Sequence, residues 1–147
     1  MKITINKYQD LSSEKLYEIL KLRSEVFVVE QNCAYQDLDN KDQKALHLIV
    51  EEKNKIIAYT RIFKKGDFFK NSSIGRVLVK KEHRRKDLGK KIMIKSIEQI
   101  KEDKNEKKIE LSAQKYLLKF YLELGFKKIG KEYLEDGIPH VKMILKI

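Results

Sequence analysis

The chain predicts an α/β fold, with one mixed β-sheet carrying helices on its faces, and three observations lead there. Short stretches alternate apolar and polar residues with period two, while longer ones repeat their apolar residues near 3.6. Turn-forming residues separate these stretches. The resulting order, βα-ββ-βα-βα-ββ, sets strands side by side and lays helices across them. At 147 residues the chain fits one domain spanning 1–147. A domain of that size buries roughly 68–70% of its unfolded surface, so it needs no disulfide or metal staple.

Lys2 to Asn6 alternates and reads as a first strand. Ser12 or Ser13 caps a helix running to about Val28, with Leu16, Ile19, Leu20, Arg23, Val26 and Phe27 on its inner side. Residues 30–44 are polar and aperiodic, which reads as a long loop. A hairpin follows, from His47 to Glu51 and from Ile56 to Phe63 around Lys53-Asn54-Lys55. A second loop, Lys64 to Ser73, leads to the strand Ile74 to Val79. A helix begins at Leu88 and ends near Lys104-Asn105, its apolar residues Leu88, Ile92, Met93, Ile97 and Ile100 on one side. Ile109 to Ser112 is a short strand, and Tyr116 to Leu124 a helix stopped by Gly125. Lys127 to Leu134 and His140 to Ile147 form a closing hairpin around Glu135-Asp136-Gly137-Ile138-Pro139.

The net charge is +11, from 33 basic and 22 acidic residues. Such an excess attracts polyanions: nucleic acid, anionic membrane or a phosphorylated ligand. Aromatic residues do not interleave with the basic run at 80–91 as a base-stacking surface requires, which argues against nucleic acid. No apolar run approaches the roughly 20 residues that span a bilayer. The N-terminus reads as a strand and not a signal peptide. A lone cysteine, Cys33, excludes an internal disulfide and suits a reducing cytoplasm, the expected location. Three His and one Cys at these spacings do not form a metal set.

The most informative stretch is Val77 to Lys91. A β-branched strand runs into a turn and then a helix, and from Lys80 to Lys91 seven Lys or Arg face two acids. A strand–turn–helix aims unpaired N–H groups and the positive helix end at one point, which suits a phosphate-bearing ligand.

Three segments together resemble the GNAT family of N-acetyltransferases and, within it, the ElaA-like group. They are Leu22 to Asp37; Arg76-Val77-Leu78-Val79 with Arg84 to Gly89; and Phe120 to Phe126 with Glu135 to His140. The resemblance covers about residues 11–147 and leaves the Lys64–Ser73 loop unmatched. It implies a sheet whose parallel strands Ile74–Val79 and Ile109–Ser112 splay apart, with acetyl-CoA in the wedge. The backbone of Val77, Leu78 and Val79 would bind the pantetheine arm as a pseudo-strand. Arg84, Arg85, Lys86, Asp87, Leu88, Gly89 and Lys90 would hold the diphosphate, and Gln114 and Tyr121 would complete the cofactor site. The family pattern has Gly where this chain has Asp87. That carboxylate is expected to cap the helix by accepting from Gly89 or Lys90 N–H, weakening the anion site without abolishing it.

The resemblance further implies acetyl transfer to an amine of a small molecule or peptide. Tyr121, four residues before Gly125, matches the family's proton donor to the departing thiolate. Tyr116 lacks that spacing. A backbone N–H of Leu78 or Val79 would polarise the thioester carbonyl. An alkyl ammonium near pKa 10.4 holds its proton at pH 7 by about 3.4 units, roughly 4.6 kcal/mol, so a base is needed. Glu30, His47 and His140 are the candidates. Residues 29–42 carry Glu30, Asp37, Asp39 and Asp42 against Lys41, a local negative charge expected to draw a cationic amine. Cys33 has no His close in sequence to activate it. A homodimer through the C-terminal hairpin is compatible with the resemblance. The competing readings are a CoA-binding protein without transferase activity and a nucleic-acid or ribosome-associated module.

Overall fold

The computed structural model describes residues 1–147. Strand β1 (Lys2–Lys7) leads to helix α1 (Ser13–Arg23), capped by the Ser12 hydroxyl accepting from Lys15 N–H at 3.1 Å. The hairpin is β2 (Leu46–Glu52) and β3 (Lys55–Phe63), followed by β4 (Ser72–Val79) and helix α2 (Leu88–Lys101). Strand β5 (Lys108–Gln114), helix α3 (Leu118–Glu123), β6 (Lys127–Glu135) and β7 (Ile138–Lys146) complete the chain. All seven strands form one sheet in the order β1-β2-β3-β4-β5-β7-β6. Every pairing is antiparallel except β4 with β5.

Period-two alternation divides the core between the two faces of the sheet. Leu88, Ile92, Met93, Ile97 and Ile100 of α2, with Tyr121 of α3, pack on Leu48, Val50, Ile109, Leu111 and Met143. On the opposite face Ile19, Leu22 and Val26 cover Ile49, Ile56, Tyr59 and Leu78. Gly125 holds φ +98° just past α3, the left-handed stop that its position predicts. The last hairpin is tighter than predicted. Asp136 (φ 52°) and Gly137 (φ 75°) alone form its turn, so β6 and β7 each extend into the segment read as loop.

Two further differences bear on the site. The first helix does not run uniformly to Val28, because from Ser24 to Glu30 it widens to π-helical bonding. Such a turn redirects the residues that follow it. The strand after the second loop starts at Ser72, two residues early, because Ser72 and Ser73 pair in parallel with Ile109 and Glu110.

Those two pairs are the whole contact between the β4 and β5 ladders. Beyond Ser73 the strands diverge, as the resemblance implies. The cause lies on the other edge of β4. Tyr59 pairs with Leu78 and Arg61 with Gly75, so Thr60 alone faces both Arg76 and Val77. That bulge, with Arg76 at φ 48°, bends β4 away from β5. Strand β5 instead stays fully paired with β7 from Lys108 to Gln114.

Candidate active site

The divergence opens a cleft of about 590 Å³ between β4 and β5. Its floor is the backbone of β4. Lys80 donates its N–H to Ile57 C=O at 2.8 Å, so by ladder alternation Leu78 also turns its polar groups toward β3. Val77 and Val79 therefore face the wedge, and Leu78 does not. This corrects the expectation that all three are unpaired: Leu78 borders the cleft, but its backbone is committed to Tyr59. Val79 C=O is met by Arg84 Nε at 2.8 Å.

At one end of the cleft lies the basic turn. Arg85, Asp87, Leu88, Gly89 and Lys90 line the cleft, and Lys86 stands outside the lining. Asp87 occupies the N-cap of α2, but its carboxylate makes no capping bond, contrary to the sequence-based expectation. The reason is its backbone, held left-handed at φ 57° and ψ 16° where a cap residue is normally extended. Asp87 thus takes the conformation a Gly would take there, at some cost in strain. The first-turn N–H groups of α2 are left without side-chain acceptors, as anion binding requires. Gly89 does not owe its place to crowding within the protein, since an added Cβ would meet only Phe120 and Val79 side chains at 3.7–3.9 Å. Among the seven Lys and Arg of this segment, only Arg84 makes an ion pair.

That pair spans the cleft. Arg84 grips Glu30, at the end of the π-helical turn, through two bonds of 2.5 and 3.0 Å. Glu30 thus has both carboxylate oxygens already engaged by a guanidinium. Farther along, Gln114 ends β5 and exchanges amide hydrogen bonds of 3.3 and 3.4 Å with Gln31. Together these ties fasten the α1 side of the cleft to both walls of the wedge.

Tyr121 lines the cleft from α3 and is 6% exposed, packed against Phe120 and Phe126. Burial, and secondarily Tyr116 nearby, pushes its phenol well above the ordinary value, so it stays protonated at neutral pH. His140 also lines the cleft, while His47 does not. His47 is fully buried on β2. Its Nε2–H donates to Asp42 C=O at 2.9 Å, and its Nδ1 accepts from Tyr59 OH at 2.6 Å, the tautomer those partners require. Burial depresses its pKa. His47 is therefore structural and drops out as a base.

The acidic loop is corrected as well. Asp37, Asp39 and Asp42 do not face an incoming amine, because three arginines from separate elements hold them. Arg23 bonds Asp37 at 2.8 Å and Asp42 at 2.7 Å. Arg61 bonds Asp39 at 2.8 Å and Asp42 at 2.9 Å. Arg76 lies 2.8 Å from Asp37 and 3.5 Å from Asp39. Burial alone would raise the Asp39 and Asp42 carboxyls, but the bonds and charges of the arginines outweigh it and hold both below their ordinary value. Three positive charges match three negative ones, so these aspartates add no net negative charge to the cleft.

With this geometry established, comparison with known proteins identifies the family. Residues 7–147 match the model of an acetyltransferase (GNAT) domain. A UPF0039 protein of Schizosaccharomyces pombe is 40% identical over 142 residues, covering 95% of this chain and 93% of its own. Protein ElaA of Escherichia coli is 38% identical over 95% of this chain and 93% of its own, and its crystal structure superposes with a TM-score of 0.91 over 99% of both chains. The crystal structure of an acyl-CoA N-acyltransferase from Pseudomonas aeruginosa, 33% identical, gives 0.92 over 99% of both. The splayed β4–β5 wedge, with an uncapped helix and unpaired cations at its end, suits the acyl-CoA that this fold binds. The chain belongs to the GNAT family of acyltransferases, in the ElaA-like group.

Proposed function

We propose that the protein is an N-acetyltransferase carrying the acetyl group of acetyl-CoA to an amine of a small molecule or peptide. The observation that carries this reading is the wedge, where the backbone of Val77 and the N–H of Val79, whose C=O is held by Arg84, turn toward a cleft that ends on an uncapped helix. The pantetheine arm would lie along Val77 and Val79, and the diphosphate would meet the N–H groups at Leu88, Gly89 and Lys90 with Arg85 and Lys90 beside them. Acetyl-CoA supplies the activated acyl group.

The remaining tasks fall to this chain's own residues. A wedge-facing N–H of Val77 or Val79 polarises the carbonyl. Tyr121, kept neutral by burial, gives its proton to the departing sulfur. His140 takes the proton of the amine, since Glu30 is held by Arg84 and His47 lies outside the cleft.

Thiol release from acetyl-CoA across a panel of primary amines tests the reading, with Tyr121→Phe alongside. Wild type should release thiol in an amine-dependent way. The variant should lose about 100-fold in kcat and keep its affinity for CoA. A CoA-dependent rise in melting temperature without thiol release for any amine would reduce the protein to a CoA binder.

A further inference from the structure

Two carboxylates on the β6–β7 turn play no part in the reading above. The two-residue turn at Asp136-Gly137 makes Glu135 and Ile138 the last cross-strand pair, while Tyr133 opposes His140. Strand alternation then puts Tyr133, Glu135, Ile138 and His140 on one face, and the last three line the cleft. His140 is 6% exposed. Its Nδ1–H donates to Ile138 C=O at 2.6 Å, and its ring stacks on Tyr133, whose hydroxyl bonds Ser112.

Those contacts fix the ring and leave Nε2 as its one uncommitted nitrogen. The nearest charge to it is Glu135 Oε2, at 3.3 Å. Glu135 has no other ionic partner, and Asp136 has none. The facing wall offers no free cation. Gln31, Cys33 and Tyr35 are uncharged in their ordinary forms, Arg76 is held by Asp37 and Asp39, and Arg84 by Glu30. The cleft therefore turns from basic at the α2 end to acidic at the hairpin end.

We infer that Glu135 receives the acceptor as an ammonium ion and positions it beside His140 Nε2, which selects cationic alkylamines over amines that arrive neutral. This rests on the transferase reading. One carboxylate serves both sides of the proton transfer, facing first the substrate's ammonium and then the imidazolium formed from it. The ammonium passes one proton to Nε2. Its nitrogen forms the new C–N bond as the thioester C–S bond breaks, and the sulfur takes the Tyr121 proton. The second proton, lost from nitrogen as the amide forms, restores the Tyr121 hydroxyl. Glu135 makes no bond to the acyl group and is a positioning residue.

The test uses two isomeric amines, 2-phenylethylamine, an ammonium ion at neutral pH, and 4-ethylaniline, which is neutral there. Glu135→Gln should lower kcat/KM for 2-phenylethylamine by roughly 10- to 100-fold, the worth of one charge-assisted hydrogen bond, and lower that for 4-ethylaniline by clearly less, since there the carboxylate faces only the imidazolium. Calorimetry without any thioester should show 2-phenylethylamine binding about tenfold more weakly to the variant. Glu135→Asp should recover part of both losses, and Asp136→Asn should show neither. Equal losses for the two amines would mean a merely structural role, and unchanged values would mean no role; either overturns the inference while leaving the transferase standing. No thiol release by wild type with either amine, alongside unaltered amine binding in the variant, would overturn both.

Discussion

Residues 31–45 and residues 80–87 both border the cleft, both lack regular structure over most of their length, and both are rich in charge. In the first segment every aspartate is bound by an arginine brought from α1, β3 or β4. In the second, six of the seven Lys and Arg between Lys80 and Lys91, its continuation into α2, have no ionic partner. Charges consumed inside the protein fix a wall, and charges left over are available to a ligand. Local charge count does not distinguish the two. Only the partner's location in the fold does.

Five substitutions and one change of pH sharpen that contrast. The largest effect belongs to Arg23, whose side chain is fully buried between Asp37 and Asp42. Arg23→Ala leaves two carboxylates without their main partner and should cost about 3–5 kcal/mol in urea unfolding. Arg85→Ala, in the other segment, should change stability by less than about 0.5 kcal/mol.

Next comes acid. The Asp39 and Asp42 carboxyls are depressed in the folded state, and so is His47. In each case the unfolded chain binds more protons, so stability is full above the unfolded pKa and falls as pH drops. Melting temperature should begin to fall below about pH 6.5 through His47 and fall further below about pH 4 through the aspartates. His47→Gln should abolish the first step and spare the second.

Smaller effects are expected at the basic turn. Asp87→Gly removes a side chain from a left-handed position and should add up to about 1 kcal/mol of stability while tightening CoA several-fold. An unchanged calorimetric titration with CoA would refute the role given to that turn. Gly89→Ala should leave stability within about 1 kcal/mol, because its Cβ has room among the protein's own atoms. CoA affinity should still fall if the diphosphate approaches that backbone.

Much of this architecture is legible in the amino-acid order. Alternation marks β1, short apolar or β-branched runs between turn residues mark the other strands, and the 3.6 period of Leu88, Ile92, Met93, Ile97 and Ile100 marks α2 and its buried side. What escapes such reading depends on contacts distant in sequence. The π-helical widening at Ser24–Glu30 lies under an apolar pattern, SEVFVVE, that an α-helix would satisfy equally. The left-handed backbone of Asp87 is invisible in a residue that also makes good caps.

In sequence the aspartate loop reads as open negative charge because its partners Arg23, Arg61 and Arg76 come from three different elements. The clue was present in Arg23 on the inner face of a helix and Arg61 within the apolar strand Ile56–Phe63, where a cation requires a partner. His47 misleads for the same reason, since its partners Tyr59 and Asp42 appear only once β2 and β3 pair. Glu135 opens the Glu135–His140 segment that carries part of the resemblance. Its relation to His140 follows from the turn length, which a two-residue Asp-Gly hairpin would have given.

The central claim is that β4 turns the backbone of Val77 and Val79, but not Leu78, toward a ligand lying in the wedge. Amide hydrogen exchange with and without saturating CoA tests it residue by residue. The account predicts that CoA slows Val77 and Val79 by about tenfold or more and leaves Leu78, already bonded to β3, unchanged. Val77 and Val79 amides protected without CoA, or indifferent to it, would contradict the account.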